Sequence, residues 1–192
     1  MWFSVCSVIS VVKSVHGCMD LNFRIEPATE ADVPVIVAMI KALADYEKLS
    51  HEVVATDADI GGALFGPRRY AEVVIGYVGE TAVGFALFFH NFSTFRGAPG
   101  LYLEDLFVYP QWRGRGFGHR LLAHLAGLAL ARGCHRMEWS VLDWNQPAID
   151  FYHRAGARLM DDWRIFRLTG DALRALAEPE EAGRAGPAGR AG

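Results

Sequence analysis

Cysteine is scarce: the 192 residues hold 3, Cys6, Cys18 and Cys134. No C-x-x-C pair and no even set forms a disulfide framework, a pattern that fits a reducing, cytoplasmic location. Long apolar runs are lacking too. Lys13, Ser14 and His16 interrupt the apolar first twenty residues, short of the roughly 18–20 residues that span a bilayer. Charge of one sign is not in large excess. With 19 basic and 22 acidic residues the net charge is −3, which argues against a general polyanion binder while leaving room for a local basic site. The 7 histidines show no metal-ligand spacing; His119 and His124 are five apart and do not share a helical face as an i, i+4 pair would. No metal is expected. A Gly-Lys-Ser/Thr sequence is absent, which excludes a P-loop.

What is present is a globular composition, 52% hydrophobic and 21% charged, in a chain of one-domain length. A domain of this size buries roughly 70% of its unfolded surface, so it needs no staples. Residues 1–18 have no basic segment before the apolar stretch and no A-x-A site after it, unlike a signal peptide. They are expected to be an extension or a mis-assigned start, with the domain proper over 19–177. The Gly/Ala/Pro-rich 178–192 is expected to be a disordered tail.

Leu21, Phe23 and Ile25 alternate with polar residues as in a half-buried strand. Thr29 to Asp32 matches a capping box, and Val33, Ile36, Ile40 and Leu43 continue at helical spacing, predicting a helix to about Lys48. A second box, Thr56 to Asp59, predicts a short helix ended by Gly66-Pro67. Tyr70–Val78 and Thr81–Asn91 read as a hairpin around Gly79-Glu80. After a loop over Arg96 to Gly100, LYLEDLFVYP reads as a strand. Leu121, Leu122, Leu125, Leu128 and Ala129 mark a helix from about Phe117 to Arg132. Residues 134–142 read as strand, Pro147 suits a first helical turn, and Gly156 suits its cap. Arg158–Leu168 is expected to supply one or two closing strands. The order β-α-α-β-β-β-α-β-α-β predicts an α/β layer structure with a mixed sheet.

Arg113-Gly-Arg-Gly-Phe-Gly118 lies between a predicted strand and a predicted helix. Its glycines let the backbone approach an anion, and the helix start adds unpaired N–H groups and a positive dipole end. Arg113, Arg115, His119 and Arg120 add positive potential. The run is G-x-G-x-G rather than the dinucleotide pattern G-x-G-x-x-G. RNA binding through RGRGFGHR is the competing reading of this tract.

Arg113-x-x-Gly116-x-Gly118 after LYLEDLFV resembles the acyl-CoA pyrophosphate loop of the GNAT superfamily of N-acetyltransferases. VLDWNQPAIDFYHRAGA resembles the segment of that superfamily where Asn-x-x-Ala/Ser and a following Tyr line the pantetheine arm. Together with ADYEKLSHEV, these segments are similar to diamine acetyltransferases of the spermidine/spermine and thialysine type over roughly residues 22–176. The resemblance implies a mixed, mostly antiparallel, twisted sheet flanked by helices, with splayed central strands holding acyl-CoA.

It also implies the site. The cofactor would lie against main-chain groups of Leu106, Phe107 and Val108, with the Phe107 N–H polarising the thioester carbonyl. The loop residues Arg113, Gly114, Arg115, Gly116, Phe117, Gly118 and His119 would take the pyrophosphate. Asn145, Pro147, Ala148 and Tyr152 would line the arm. Tyr152 falls where the family has its acid for the departing thiolate; on the residues alone it could equally be a core tyrosine. A phenol near ~10 stays protonated at neutral pH. Glu104 would attract the cationic amine and take its proton, beside Asp105; otherwise both are surface carboxylates. Tyr46, Glu47 and Asp162 match substrate-contacting positions, although Asp161-Asp162 here lacks the following glycine of the family. The implied reaction is acetyl transfer from acetyl-CoA to a diamine, polyamine or lysine-like amino acid by a homodimer, with no nucleic-acid or membrane partner. Rival readings are the same fold acting on a protein N-terminus or an aminoglycoside, and an acyl-CoA-binding module without turnover. Cys134 reads as a small buried hydrophobe.

Overall fold

The first alternating segment forms strand β1 (Phe23–Pro27) in a computed structural model that describes residues 22–177. The expectations for residues 1–18 and 178–192 lie outside the described residues. The chain divides into two compact units, Met1–Gln146 and Pro147–Gly192.

In the first unit both capping boxes form. Thr29 N–H donates to Asp32 Oδ2 at 2.7 Å, ahead of helix α1 (Val33–Tyr46). Thr56 N–H donates to Asp59 Oδ2 at 2.9 Å, opening α2 (Asp57–Phe65). Helix α1 stops at Tyr46 rather than at Lys48. Lys48 adopts φ 62°, Leu49 N–H reaches back to Ala44 O at 2.8 Å and Lys48 N–H to Asp45 O at 3.1 Å. This is a Schellman stop with lysine in the left-handed position that glycine usually takes.

The hairpin is β2 (Glu72–Val78) and β3 (Thr81–Ser93), turning at Gly79 with φ 57°. Strand β4 (Ala98–Val108) starts earlier than expected, because Ser93 pairs with Ala98, Phe92 with Pro99 and Asn91 with Gly100, so the last three residues of the predicted Arg96–Gly100 loop are ladder. Helix α3 (Phe117–Ala131) follows, then β5, which is only Met137–Glu138. The strand expected over 134–142 is cut to these two residues, paired in parallel with Leu101 and Tyr102. The five strands lie in chain order, antiparallel except for this last pair.

Ile36, Met39 and Leu64 from α1 and α2 pack on Val73, Ile75, Phe85 and Phe107 of one sheet face. Phe88 lies on the other face, where the α3 side chains Phe117, Leu121 and Leu125 are buried. Cys134 is buried, as expected. No helix among the described residues is long and apolar enough to cross a membrane.

Helix α4 (Gln146–Arg154) leads into the second unit and α5 (Gly170–Ala177) lies within it. Gly156, at φ 91°, ends α4 as expected, with Ala157 N–H on Tyr152 O at 3.1 Å. The closing strands expected over Arg158–Leu168 do not form. The neighbours Ile165 and Phe166 are 77% and 95% exposed, so the segment lacks the buried face and the ladder partner that hold a strand.

Candidate active site

Strand β4 carries one more residue than its partner. Leu87 stands opposite Asp105 and Phe88 opposite Leu103, leaving Glu104 as the extra residue of a bulge. Without it, Glu104 and Asp105 would point to opposite faces. With it, Asp105 shares the face of Leu87 and Phe107, and Leu103 shares that of Phe88, so Glu104 and Asp105 fall together on the α1–α2 side. The C-terminal end of α1 brings Glu47 to the same place. Burial, and then the charges of Glu104 and Glu47, push the Asp105 carboxyl up to about 6. Burial also raises Glu47.

The bulge coincides with a parting of the sheet. Strand β5 pairs only at Leu101 and Tyr102, so from Glu104 onward no strand among the described residues covers the outer edge of β4. Which groups face that edge follows from the ladder. Tyr109 N–H donates to Val83 O at 3.0 Å, and bonded pairs alternate with non-bonded ones in an antiparallel ladder. Phe107 therefore directs its N–H at Phe85, while Leu106 and Val108 present theirs to the open edge. This corrects the expectation for Phe107: its amide belongs to the sheet, and its ring is core.

Beyond β4 the chain makes the glycine loop. Gly114 and Gly116 take φ 77° and 82°, which any other residue would adopt at a cost, and Gly116 is the cap of α3. The first intrahelical bond is Arg120 N–H to Gly116 O at 3.0 Å, so the amides of Phe117, Gly118 and His119 precede any helical acceptor. Nothing lies within 4 Å of a Cβ built on Gly114 or Gly116. This is an open, amide-lined turn with a positive dipole end, suited to an anion.

The basic side chains are less free than the sequence suggested. Arg113 Nε donates to Val108 O at 2.8 Å, and its guanidinium lies 4.4 Å over the Tyr46 ring. Arg115 stacks on Trp112 at 4.8 Å. Arg120 donates to Phe23 O at 2.8 Å. Phe117 is buried and stacked on Phe23 at 4.3 Å, so it offers the site only main chain. Asn145 is buried, and its Oδ1 accepts from the Tyr46 hydroxyl at 3.2 Å.

The first unit thus gathers Glu47, Glu104, Asp105, Leu106, Val108, the loop, Tyr46 and Asn145. Pro147, Ala148, Tyr152 and Asp162 belong to the second unit. There, Tyr152 sits on α4 with its ring 5.2 Å from that of Phe151, and Asp162 is exposed in the irregular segment after the helix. The Glu104 bulge was the feature that sequence reading could not locate, since no glycine or proline marks it.

A parted β4 edge, a bulge and an amide-lined loop at a helix start form an open strand edge that leads to a turn suited to an anion. Residues 36–157 match the Acetyltransferase (GNAT) family, and the chain belongs to that family. It is 35% identical over 165 residues to the thialysine N-epsilon-acetyltransferase of Mus musculus, covering 80% of this chain and 96% of the relative. It is 33% identical over 198 residues to the L-ornithine N5-acetyltransferase NATA1 of Arabidopsis thaliana, covering 80% and 87%. Among solved structures, the integron cassette protein VCH_CASS6 from the mobile metagenome of V. cholerae aligns with TM-score 0.71 and 26% identity, covering 83% of this chain and 99% of that one.

Proposed function

We propose that the protein transfers an acetyl group from acetyl-CoA to the primary amine of a small cationic acceptor, a diamine, polyamine or lysine-like amino acid. The observation that carries this reading is the meeting of Glu47, Glu104 and Asp105 beside the open edge of β4. Three carboxyl groups at one place attract an alkylammonium and disfavour an anionic acceptor. The relatives named for thialysine and ornithine acetylation point to the same class of acceptor.

The residues present fit acetyl-CoA. The amides of 117–119 and the turn at Gly114 and Gly116 would hold its pyrophosphate, and the β4 edge would pair with its pantetheine arm as an added strand. The co-substrate supplies the acetyl group as an activated thioester. The Leu106 N–H, fixed by the sheet and aimed outward, is the donor for the carbonyl oxygen that gains charge. An alkylammonium near pKa ~10 has to lose a proton before it can attack, and Glu104 takes that proton, directly or through water. Tyr152 is the acid for the thiolate, a role to which a phenol is suited; family resemblance supports it. Asp162 is retained as an acceptor contact, and a cytoplasmic homodimer as the assembly, on the same resemblance.

The test is turnover of acetyl-CoA across diamines, polyamines, lysine analogues and short peptides, scored by thiol release. Release with small diamines or lysine-like acceptors supports the reading. Release only with peptides, or none with a folded protein that binds CoA, overturns it.

A further inference from the structure

Strand β1 lies at the edge of the sheet, with β2 and β3 between it and β4. Its first residue nevertheless holds the start of α3. The Phe23 ring stacks on that of Phe117, with centroids 4.3 Å apart and planes 4° from parallel. One turn along α3, the Arg120 guanidinium lies 4.4 Å from the centre of the Phe23 ring and donates to Phe23 O at 2.8 Å. Side chains three apart on a helix share a face, so both meet the same strand residue.

Inside the turn the anchorage is a single side chain. Gly114 and Gly116 carry none, and from Arg113 to Arg120, all of them described residues, Phe117 alone is buried. Trp112, just ahead of the turn, stands 6.3 Å from Phe117 and carries Arg115 at 4.8 Å. The Phe117, Gly118 and His119 amides belong to the helical turn that this ring fixes, so a shift of the Phe117 ring re-aims all of them. Strand β2 makes room for the stack. A Cβ on Gly76 would come within 2.7 Å of Phe23 Cζ and 2.8 Å of Cε2, closer than packed carbon atoms stand. Gly76 does not take a left-handed φ, so its missing side chain, rather than its backbone, is what the stack requires.

We infer that Phe23 is a positioning residue of the acyl-carrier site, acting through Phe117 on the amides that would receive the diphosphate, and that Gly76 keeps open the space its ring fills. The inference rests on the proposed function and extends the site to two residues on β1 and β2, outside the open edge and the loop. Tilting the Phe117 ring weakens the grip on the diphosphate and leaves the pantetheine arm and the amine alone.

The experiment compares Phe23→Leu, Gly76→Ala and the double variant with the unaltered protein. CoA affinity is measured by calorimetry, and KM separately for acetyl-CoA and for the best amine of the screen. Pantetheine, which lacks the diphosphate, is titrated as a competitor of acetyl-CoA, and thermal unfolding is followed in parallel. Phe23→Leu removes the flat ring and keeps an apolar side chain; it is expected to raise the CoA Kd and the acetyl-CoA KM about 3- to 10-fold, the worth of one aromatic pair. Gly76→Ala keeps the ring but displaces it, and a rise of about the same size is expected. Leucine does not reach the place of Phe23 Cζ, so adding Gly76→Ala to Phe23→Leu is expected to change little, less than about twofold. The amine KM and the pantetheine inhibition constant stay within about twofold throughout. Unchanged CoA affinity in both single variants, with a lowered melting temperature, makes Phe23 a plain core residue and overturns the inference. So does a pantetheine constant or an amine KM that rises as far as the CoA Kd. Effects that multiply in the double variant overturn the part assigned to Gly76. Gly76→Ala retains Phe23, so the test stands even if the leucine variant fails to fold. If the unaltered protein takes up no CoA, the proposed function itself fails, an outcome separate from a failure of Phe23 alone.

Discussion

Leu106 stands opposite Ala86 across the β3–β4 ladder, in a pair that exchanges no hydrogen bonds. That places the Leu106 amide on the outer edge of the strand and the Phe107 amide inside the sheet. A strand that is continuous in sequence thus has alternate amides with different tasks.

Proline scanning separates the two amides. Leu106→Pro removes an outward N–H, a position where a sheet tolerates proline. It is expected to lower kcat about 100-fold or more, with Leu106→Ala as the control for the lost side chain. Phe107→Pro removes a ladder bond and a core ring, and is expected to unfold the protein in a thermal melt. Equal activity in Leu106→Pro and Leu106→Ala removes this amide from the mechanism.

The Asp105 carboxyl gives the site a pH signature. Its pKa in the fold, about 6, lies above the ordinary 3.8, so the folded state binds more protons than the unfolded state between those values. Stability therefore falls as pH rises through that window. Asp105→Asn is expected to raise stability by about 1–3 kcal/mol above pH 6 and to leave it little changed below pH 4, measured by urea unfolding at both pH values. Activity runs the other way. Ionisation of Asp105 favours a cationic amine, so the amine KM is expected to fall as pH rises through about 6, and Asp105→Asn flattens that profile.

Glu104→Gln keeps the shape of the bulge and removes the carboxylate proposed as base. Activity is expected to drop most near neutral pH and to recover in part at higher pH, where more of the amine is already free. A loss of the same size at every pH assigns Glu104 to positioning alone.

Tyr152→Phe is expected to lower kcat by about 100-fold or more while the CoA Kd moves less than about threefold. Steady-state kinetics alongside calorimetry read this directly. Unchanged turnover excludes the phenol as the acid.

Gly116 has open space around it but φ 82°. Gly116→Ala is expected to cost about 1–2 kcal/mol from the left-handed backbone and to weaken CoA binding through a disturbed helix start. A denaturant midpoint and a calorimetric titration check both parts.

Sequence alone located the capping boxes at Thr29 and Thr56, the Gly79 hairpin, the α3 ladder of leucines and the Gly156 stop. Each depends on residues within a few positions of one another, where local hydrogen bonds and periodicity settle the conformation. Family resemblance likewise pointed to LYLEDLFV and to the glycine loop. Tertiary pairing decided the rest. Whether Glu104 and Asp105 share a face depends on how β3 counts against β4, and Leu87 and Phe88 carry no mark of a skipped partner. The extent of β5, and the absence of strands over 158–168, turn on whether a neighbouring edge is there to accept hydrogen bonds. The engagement of Arg113 with Tyr46 joins residues far apart in the chain. Local chemistry can be read along the sequence, whereas register and long-range partners exist only once the strands have met.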